Sequence, residues 1–213
     1  MRPLFKTYSP TAVDTDGIVD GATGATSPLS LNGVAGGASA NDGLAHQLNL
    51  TSAANISSIT FTITGTDADG VSFSEAIAGP AATTVETTGY FKTVTSIAIS
   101  ATLGANTVDI GWVDEFVTPT IQLNTYAQGV SGNIDVTGTI DYTVQATNSD
   151  IRTRADDGAF NWFDVVDATI DLIDITADVQ FGLGPIPSGL RLKANSYSSS
   201  ATAALRLVHQ NNL

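Results

Sequence analysis

The chain contains no cysteine, which excludes disulfide bonds, thiolate metal sites and cysteine nucleophiles. Strong helix formers are scarce as well, since its 213 residues include three glutamates, three lysines and one methionine. No stretch approaches the roughly 20 apolar residues of a membrane span, and the N-terminus lacks the apolar core of a signal peptide. We therefore expect a protein that is made in a cytoplasm and has no membrane partner.

Basic residues are also few. The chain has 21 acidic residues and 8 basic ones, which gives a formal net charge of -13. This charge predicts repulsion from nucleic acid and from anionic membranes. A positively charged protein surface or a cation is an easier partner. The alternative interpretation is that the acidic residues keep a β-rich protein soluble.

The residues that are abundant favour an all-β fold. Threonine, serine, alanine, glycine, aspartate and asparagine dominate, as is typical of strands and turns. Ile59, Phe61 and Ile63 alternate with threonines, a period that predicts a half-buried strand. The sequence Asp-Ala-Asp-Gly at residues 67–70 predicts the turn of a hairpin.

We predict two tandem β-sandwich domains, of jelly-roll or immunoglobulin-like type, preceded by an extended N-terminal arm. The arm comprises residues 1–30, the first sandwich residues 31–117 and the second residues 118–213, with the boundary near Pro119 because proline interrupts central strands. Residues 1–30 contain an aspartate cluster at 14, 16 and 20 and the run Gly-Ala-Thr-Gly-Ala-Thr at 21–26, so we expect them to bury little and to become ordered against a neighbour. A floppy terminus is the alternative.

In the second sandwich, Ile134 to Val144 form a long alternation with Gly138 as a bulge. The closing strands are expected to bury a set of alternating apolar residues, namely Leu190, Leu192, Ala194, Ala203, Leu205 and Leu207. Residues 164–178 place aspartates at 167, 171, 174 and 178, which would share one face of a helix. Their β-branched neighbours favour strands separated by a turn instead.

Few residues carry a pattern typical of chemistry. Asp14 with Asp16, and Asp67 with Asp69, resemble the opening of a calcium loop but lack its later bidentate glutamate. We interpret Asp67 and Asp69 as turn residues, and whether either pair binds a cation stays open. We assign no metal ligand and no cofactor.

Catalysis has no clear sequence signature either. His46 and His209 have no spacing suited to zinc, and no nucleophile elbow accompanies them, so we expect surface or interface histidines. We therefore assign no catalytic residue and expect a protein that is not an enzyme.

Other side chains could recognise partners. An aromatic side chain could stack on a sugar ring, and the candidates are Trp112, Tyr126, Trp162 and Tyr197. Arg152 and Arg154 either dock on acidic partner residues or form a local salt-bridged loop. Arg191 and Arg206 are expected to face outward from the closing strands.

The amino-acid sequence of one segment resembles a segment found in a known class of proteins. Residues 59–112, with TGTDADG at 64–70 and TTGYFKTVTSI at 87–97, resemble the small β domain of head and tail structural proteins of tailed bacteriophages. Residues 134–210 are similar in style to a β-sandwich appended to virion proteins. The resemblance implies a particle component, and it carries over no catalytic residues.

Within such a particle, the resemblance favours a capsid decoration or cement protein, because those proteins are small, acidic, free of cysteine and β-rich. It implies the major capsid protein as partner, a homo-oligomer with a trimer favoured, and a place on the capsid surface after synthesis in the host cytoplasm. The alternatives are a neck or tail adaptor, a fibre-base component and a carbohydrate-binding surface module.

Overall fold

The structure is a computed structural model, and it describes residues 3–24, 27–33, 39–151, 160–166 and 171–210. These residues contain fifteen strands and no helix, so the predicted all-β fold class is confirmed. In chain order the strands are β1 Leu4–Tyr8, β2 Asp14–Thr23, β3 Ala45–Thr51, β4 Thr60–Thr66, β5 Ser72–Ala78, β6 Thr84–Phe91, β7 Thr93–Ile99, β8 Thr107–Val117, β9 Ile121–Gln122, β10 Gly129–Thr137, β11 Ile140–Thr147, β12 Phe163–Asp164, β13 Val179–Leu183, β14 Gly189–Tyr197 and β15 Thr202–Gln210.

The chain divides into two compact units. The first unit is Val13–Phe116, and the second combines Met1–Ala12 with Val117–Leu213. The division at residue 116 lies near the predicted boundary. The order of the units differs from a simple tandem, because the first residues of the chain belong with its C-terminal half.

Two antiparallel sheets build the first unit. One contains β8, β3 and β6 in that order with β2 paired to β8, and the other contains β5, β4 and β7 in that order. Both sheets contribute side chains to one shared core, as expected for a β-sandwich, and its members include Leu48, Leu50, Phe61, Ile63, Ile97, Ile110 and Trp112. The predicted alternation of Ile59, Phe61 and Ile63 is confirmed, since all three are buried.

The N-terminal segment differs from the expected arm. β1 pairs with β15, and β2 pairs with β8. Ile18, Val19 and Leu29 are buried members of the core, so the expectation that residues 1–30 bury little is wrong. β2 also approaches β8 closely, because a side chain at Gly111 would clash with the Asp14 carbonyl oxygen. Segments with such contacts are parts of a folded unit rather than a free arm.

The second unit also contains two antiparallel sheets. One has the order β1, β15, β10, β13, and the other has the order β12, β11, β14 with β9 paired to β14. All six apolar residues predicted to be buried in the closing strands are buried. Gly138 is not a bulge within one long strand, which corrects the prediction. It has a φ of 73° and lies between β10 and β11, where the chain passes from one sheet to the other.

Residues 171–178 form no helix, so they do not make the acidic helical face considered from the sequence. They make isolated bridges instead, including one between Ile175 and Tyr142. The Tyr142 hydroxyl donates a hydrogen bond to the Ala177 carbonyl oxygen at 2.9 Å, which holds this loop against β11. Burial, followed by the nearby Asp178 carboxylate, raises the pKa of Tyr142 above its usual range. Asp167 lies outside the described residues.

Candidate functional site

The Asp67 and Asp69 pair belongs to the turn between β4 and β5, which forms the predicted hairpin. Asp67 Oδ1 accepts hydrogen bonds from the backbone N–H groups of Asp69 and Val71, both at 2.9 Å. Gly70 has a φ of 82°, a conformation that glycine adopts without strain. The carboxylate of Asp67 therefore stabilises the turn, as the sequence interpretation proposed.

Asp14 and Asp16 lie at the start of β2, and their side chains interact. A hydrogen bond between the two carboxyl groups, with smaller effects of burial and charge repulsion, raises the pKa of Asp16. The backbone N–H of Asp16 also donates to Asp14 Oδ1 at 3.3 Å. Within the described ranges, no three histidine or carboxylate side chains are grouped so that they could hold a metal ion.

The two histidines occupy different environments. His46 is only 2% exposed, so the expectation of a surface or interface residue is wrong for it. Its Nε2 lies 2.8 Å from Asp42 Oδ2, and its ring packs near Trp112 and Phe116 in the first unit. The role of His46 is therefore to pack in the interior of the first unit.

His209 supports a turn in the second unit. Its Nε2 accepts a hydrogen bond from the Asn124 backbone N–H at 3.0 Å. A ring nitrogen that accepts a hydrogen bond carries no proton, so the neutral ring has its proton on Nδ1. This bond joins the end of β15 to the turn that presents Tyr126.

The four aromatic candidates for sugar stacking differ in their access to ligand. Trp112 is 1% exposed and Tyr197 is also buried, with its hydroxyl donating to the Thr11 carbonyl oxygen at 2.8 Å. The guanidinium of Arg191 lies 4.2 Å from the centre of the Trp162 ring and covers one of its faces. Tyr126 is 90% exposed. Among the four, Tyr126 therefore offers the most open ring.

One surface of the second unit combines exposed apolar and charged side chains. We call it the outer face and define it by Phe5, Asp135, Arg206 and Val208, which lie on β1, β10 and β15. Phe5 is 56% exposed and Val208 is 46% exposed. The outward orientation predicted for Arg206 is confirmed, since its side chain lies on this surface.

Strand register brings these side chains together. Phe5 and Arg206 are direct partners in the pairing of β1 with β15, and the guanidinium lies 5.3 Å from the centre of the phenyl ring. Arg206 also forms a salt bridge with Asp135 at 3.3 Å. Because both charged side chains are well exposed, the pair contributes at most about 1 kcal/mol to folding. The arginine is therefore available for contacts beyond this chain.

A second feature is an apolar groove of about 620 Å³ beside β12 and the end of β13. Phe163, Val166, Leu183 and Ile186 are among its lining residues.

The structure also places one of the other arginines named from the sequence. Arg191 lies on β14, and its Nε donates a hydrogen bond to Gln145 Oε1 at 2.8 Å. Arg152 and Arg154 lie outside the described residues.

No protein-family model matches the sequence, and a search of curated proteins also gives no match. In the described part of the chain, no helix is long and apolar enough to cross a membrane.

The sequence interpretation missed the role of Phe5 and the contact it makes with Arg206. The two residues come from opposite ends of the chain, so no local pattern relates them. A weak signal was present, because residues 4–8 alternate apolar with polar side chains in part, as a strand does. That signal would have predicted β1 but not its partner.

Proposed function

We propose that this chain is a structural protein of a tailed-bacteriophage particle, and that it decorates the outer capsid shell. Its partner is the major capsid protein, and its role is to stabilise contacts between neighbouring capsomers. The resemblance of residues 59–112 to phage structural proteins supports the particle context. The all-β architecture and the acidic, cysteine-free composition agree with that context.

The observation that carries the proposal is the outer face. Aromatic and arginine side chains are enriched among the residues that dominate protein interfaces, and this surface presents Phe5 beside Arg206. Covering the exposed part of Phe5 and Val208 would remove apolar area from water, which contributes about 25 cal/mol per Å². The contact of one copy is weak, but repetition around a shell makes the combined attachment strong.

Charge favours a protein partner over nucleic acid. A chain with a net charge of -13 is attracted to a basic protein surface and repelled by phosphate groups. The proposal includes self-association, with a trimer as the favoured state, because a homo-oligomer presents several outer faces at once. Neither nucleic acid nor a membrane is a partner in this account.

Reconstitution on shells that lack this protein tests the proposal. Purified protein is mixed with such particles, and the bound fraction is measured after sedimentation. We expect the wild-type chain to co-sediment, and the double variant Phe5→Ala with Arg206→Ala to bind about tenfold more weakly or worse. Val166→Ala is the matched control, since Val166 is 55% exposed and lies outside the outer face. Equal binding of the double variant and the wild type would remove the outer face from the mechanism.

A further inference from the structure

A small pocket lies at one end of the second unit, where three chain segments meet. We call it the Tyr126 pocket, and its polar lining consists of Gln122, Thr125, Tyr126, Asn148, Asp150 and Ser188. Its volume is about 220 Å³, below the ~300–1,000 Å³ of pockets for drug-sized ligands. A ligand of the size of one sugar ring fits this space better than a larger cofactor does.

Backbone hydrogen bonds join the three segments rigidly. β9 pairs with β14 through Gln122 and Gly189. The Leu123 N–H donates to the Ser188 carbonyl oxygen at 3.0 Å, and the Ser188 N–H donates to the Thr147 carbonyl oxygen at 2.8 Å. Because backbone hydrogen bonds within the chain hold all three segments, the fold itself fixes the pocket walls.

The turn that carries Tyr126 is also fixed. Asn124 Oδ1 accepts from the Tyr126 N–H at 3.1 Å, and the Asn124 carbonyl oxygen accepts from the Ala127 N–H at 3.0 Å. His209 anchors the Asn124 backbone from β15. A structured turn thus presents the Tyr126 side chain to solvent, where the residue is 90% exposed.

The chemistry of the lining selects a class of ligand. The negative face of an aromatic ring attracts the C–H groups of a pyranose, which carry a partial positive charge. Amide, hydroxyl and carboxylate groups from Gln122, Asn148 and Asp150 supply the donors and acceptors that sugar hydroxyls require. Among the described lining residues, Asp150 supplies a carboxylate, which is an acceptor for sugar hydroxyls.

We infer that the Tyr126 pocket binds one pyranose ring of a glycan, with Tyr126 stacking on the ring and Asp150 accepting hydrogen bonds from its hydroxyls. This activity goes beyond decoration of the shell, and neither function requires the other. A decorated particle would gain many weak sugar contacts at once, which multivalency makes strong.

Ligand-observed NMR on the full chain tests the inference. The probes are the methyl glycosides of glucose, galactose, mannose and N-acetylglucosamine, each examined by saturation transfer and then by titration. We expect transfer to the ring protons of at least one glycoside, with a Kd on the order of 1 mM. Tyr126→Ala should weaken that binding at least about tenfold, whereas Tyr126→Phe, which keeps the ring, should retain it.

Two further variants complete the test. Asp150→Asn should weaken binding because it removes the charge-assisted hydrogen bonds. Phe5→Ala is the matched control, because it removes another exposed aromatic ring and should leave sugar binding unchanged. The inference is overturned if no glycoside receives saturation, if Tyr126→Ala binds as the wild type does, or if Phe5→Ala abolishes binding. Attachment of Tyr126→Ala to shells tests decoration separately, and it should be normal.

Discussion

Asp16 shows how a single surface residue links folding to pH. Its hydrogen bond with Asp14, followed by smaller effects of burial and charge repulsion, raises the pKa of its carboxyl group. The folded chain therefore holds this proton more tightly than the unfolded chain does. Ionisation of Asp16 costs no folding free energy below the unfolded pKa of about 4, where the group is protonated in both states. The cost grows as pH rises through the raised folded pKa.

Asp16→Asn should remove this cost. The asparagine amide can donate to Asp14 as the protonated carboxyl does, but it has no negative charge to form at neutral pH. We expect a small increase in Tm at neutral pH that disappears at about pH 3, where Asp16 is protonated in both states. Thermal unfolding at the two pH values measures the difference. An increase in Tm of the same size at both pH values would contradict the role given to the protonated Asp16 carboxyl group.

Other single residues show which roles the sequence reveals. The turn role of Asp67 was predictable because its partners lie within four residues. The burial of His46 was not, because Asp42 is local but Trp112 and Phe116 reach it through the fold. The polar lining of the Tyr126 pocket likewise comes from three separated segments. Local patterns therefore predict turn chemistry better than they predict sites.

Among the strands, β5 lies at the edge of its sheet, and within the described ranges its pairing partner is β4 alone. Its single charged residue, Glu75, is half-buried and reaches towards β6. One carboxylate oxygen accepts from the Thr88 N–H at 2.8 Å and the other from the Gly89 N–H at 2.8 Å. A charge turned inward at an edge joins the two sheets and discourages pairing with another chain.

Glu75→Gln should destabilise the first unit. The side chain keeps its size, but its amide group would face a backbone donor, and the charge-assisted hydrogen bonds would be lost. We expect a loss of about 1–3 kcal/mol in the free energy of unfolding, measured by chemical denaturation. Glu86→Gln, an exposed change on β6, is the matched control and should stay within about 0.5 kcal/mol of the wild type. Equal stability of the two variants would contradict the role of Glu75.

At the level of strands, the period-two alternation of apolar and polar residues was sufficient to predict strands whose pairing partners are neighbours in the chain. The β4–β5 hairpin and the buried rows of β14 and β15 were predicted in this way. The pairing of β1 and β2 was missed, because their partners β15 and β8 lie far away in the chain and no local pattern relates them. Gly138 was misinterpreted, since a change of sheet and a bulge both use a glycine that breaks a continuous alternation.

On the scale of the whole molecule, pairing of the first strand with the last creates the outer face. Phe5 and Arg206 meet there only because β1 joins the sheet of the second unit. Removal of residues 1–30 would therefore take away both this surface and part of the core of the first unit. Point variants on the outer face separate binding from folding in a way that truncation does not.

The copy number of this protein in purified particles tests the central proposal most directly. Quantitative mass spectrometry gives its ratio to the most abundant shell protein. Decoration of the capsid predicts a ratio within a few-fold of that protein, because each capsomer carries copies. A ratio of a few per cent would contradict decoration and indicate a neck, tail or fibre-base component. Absence from the particle would contradict a structural role in the virion altogether.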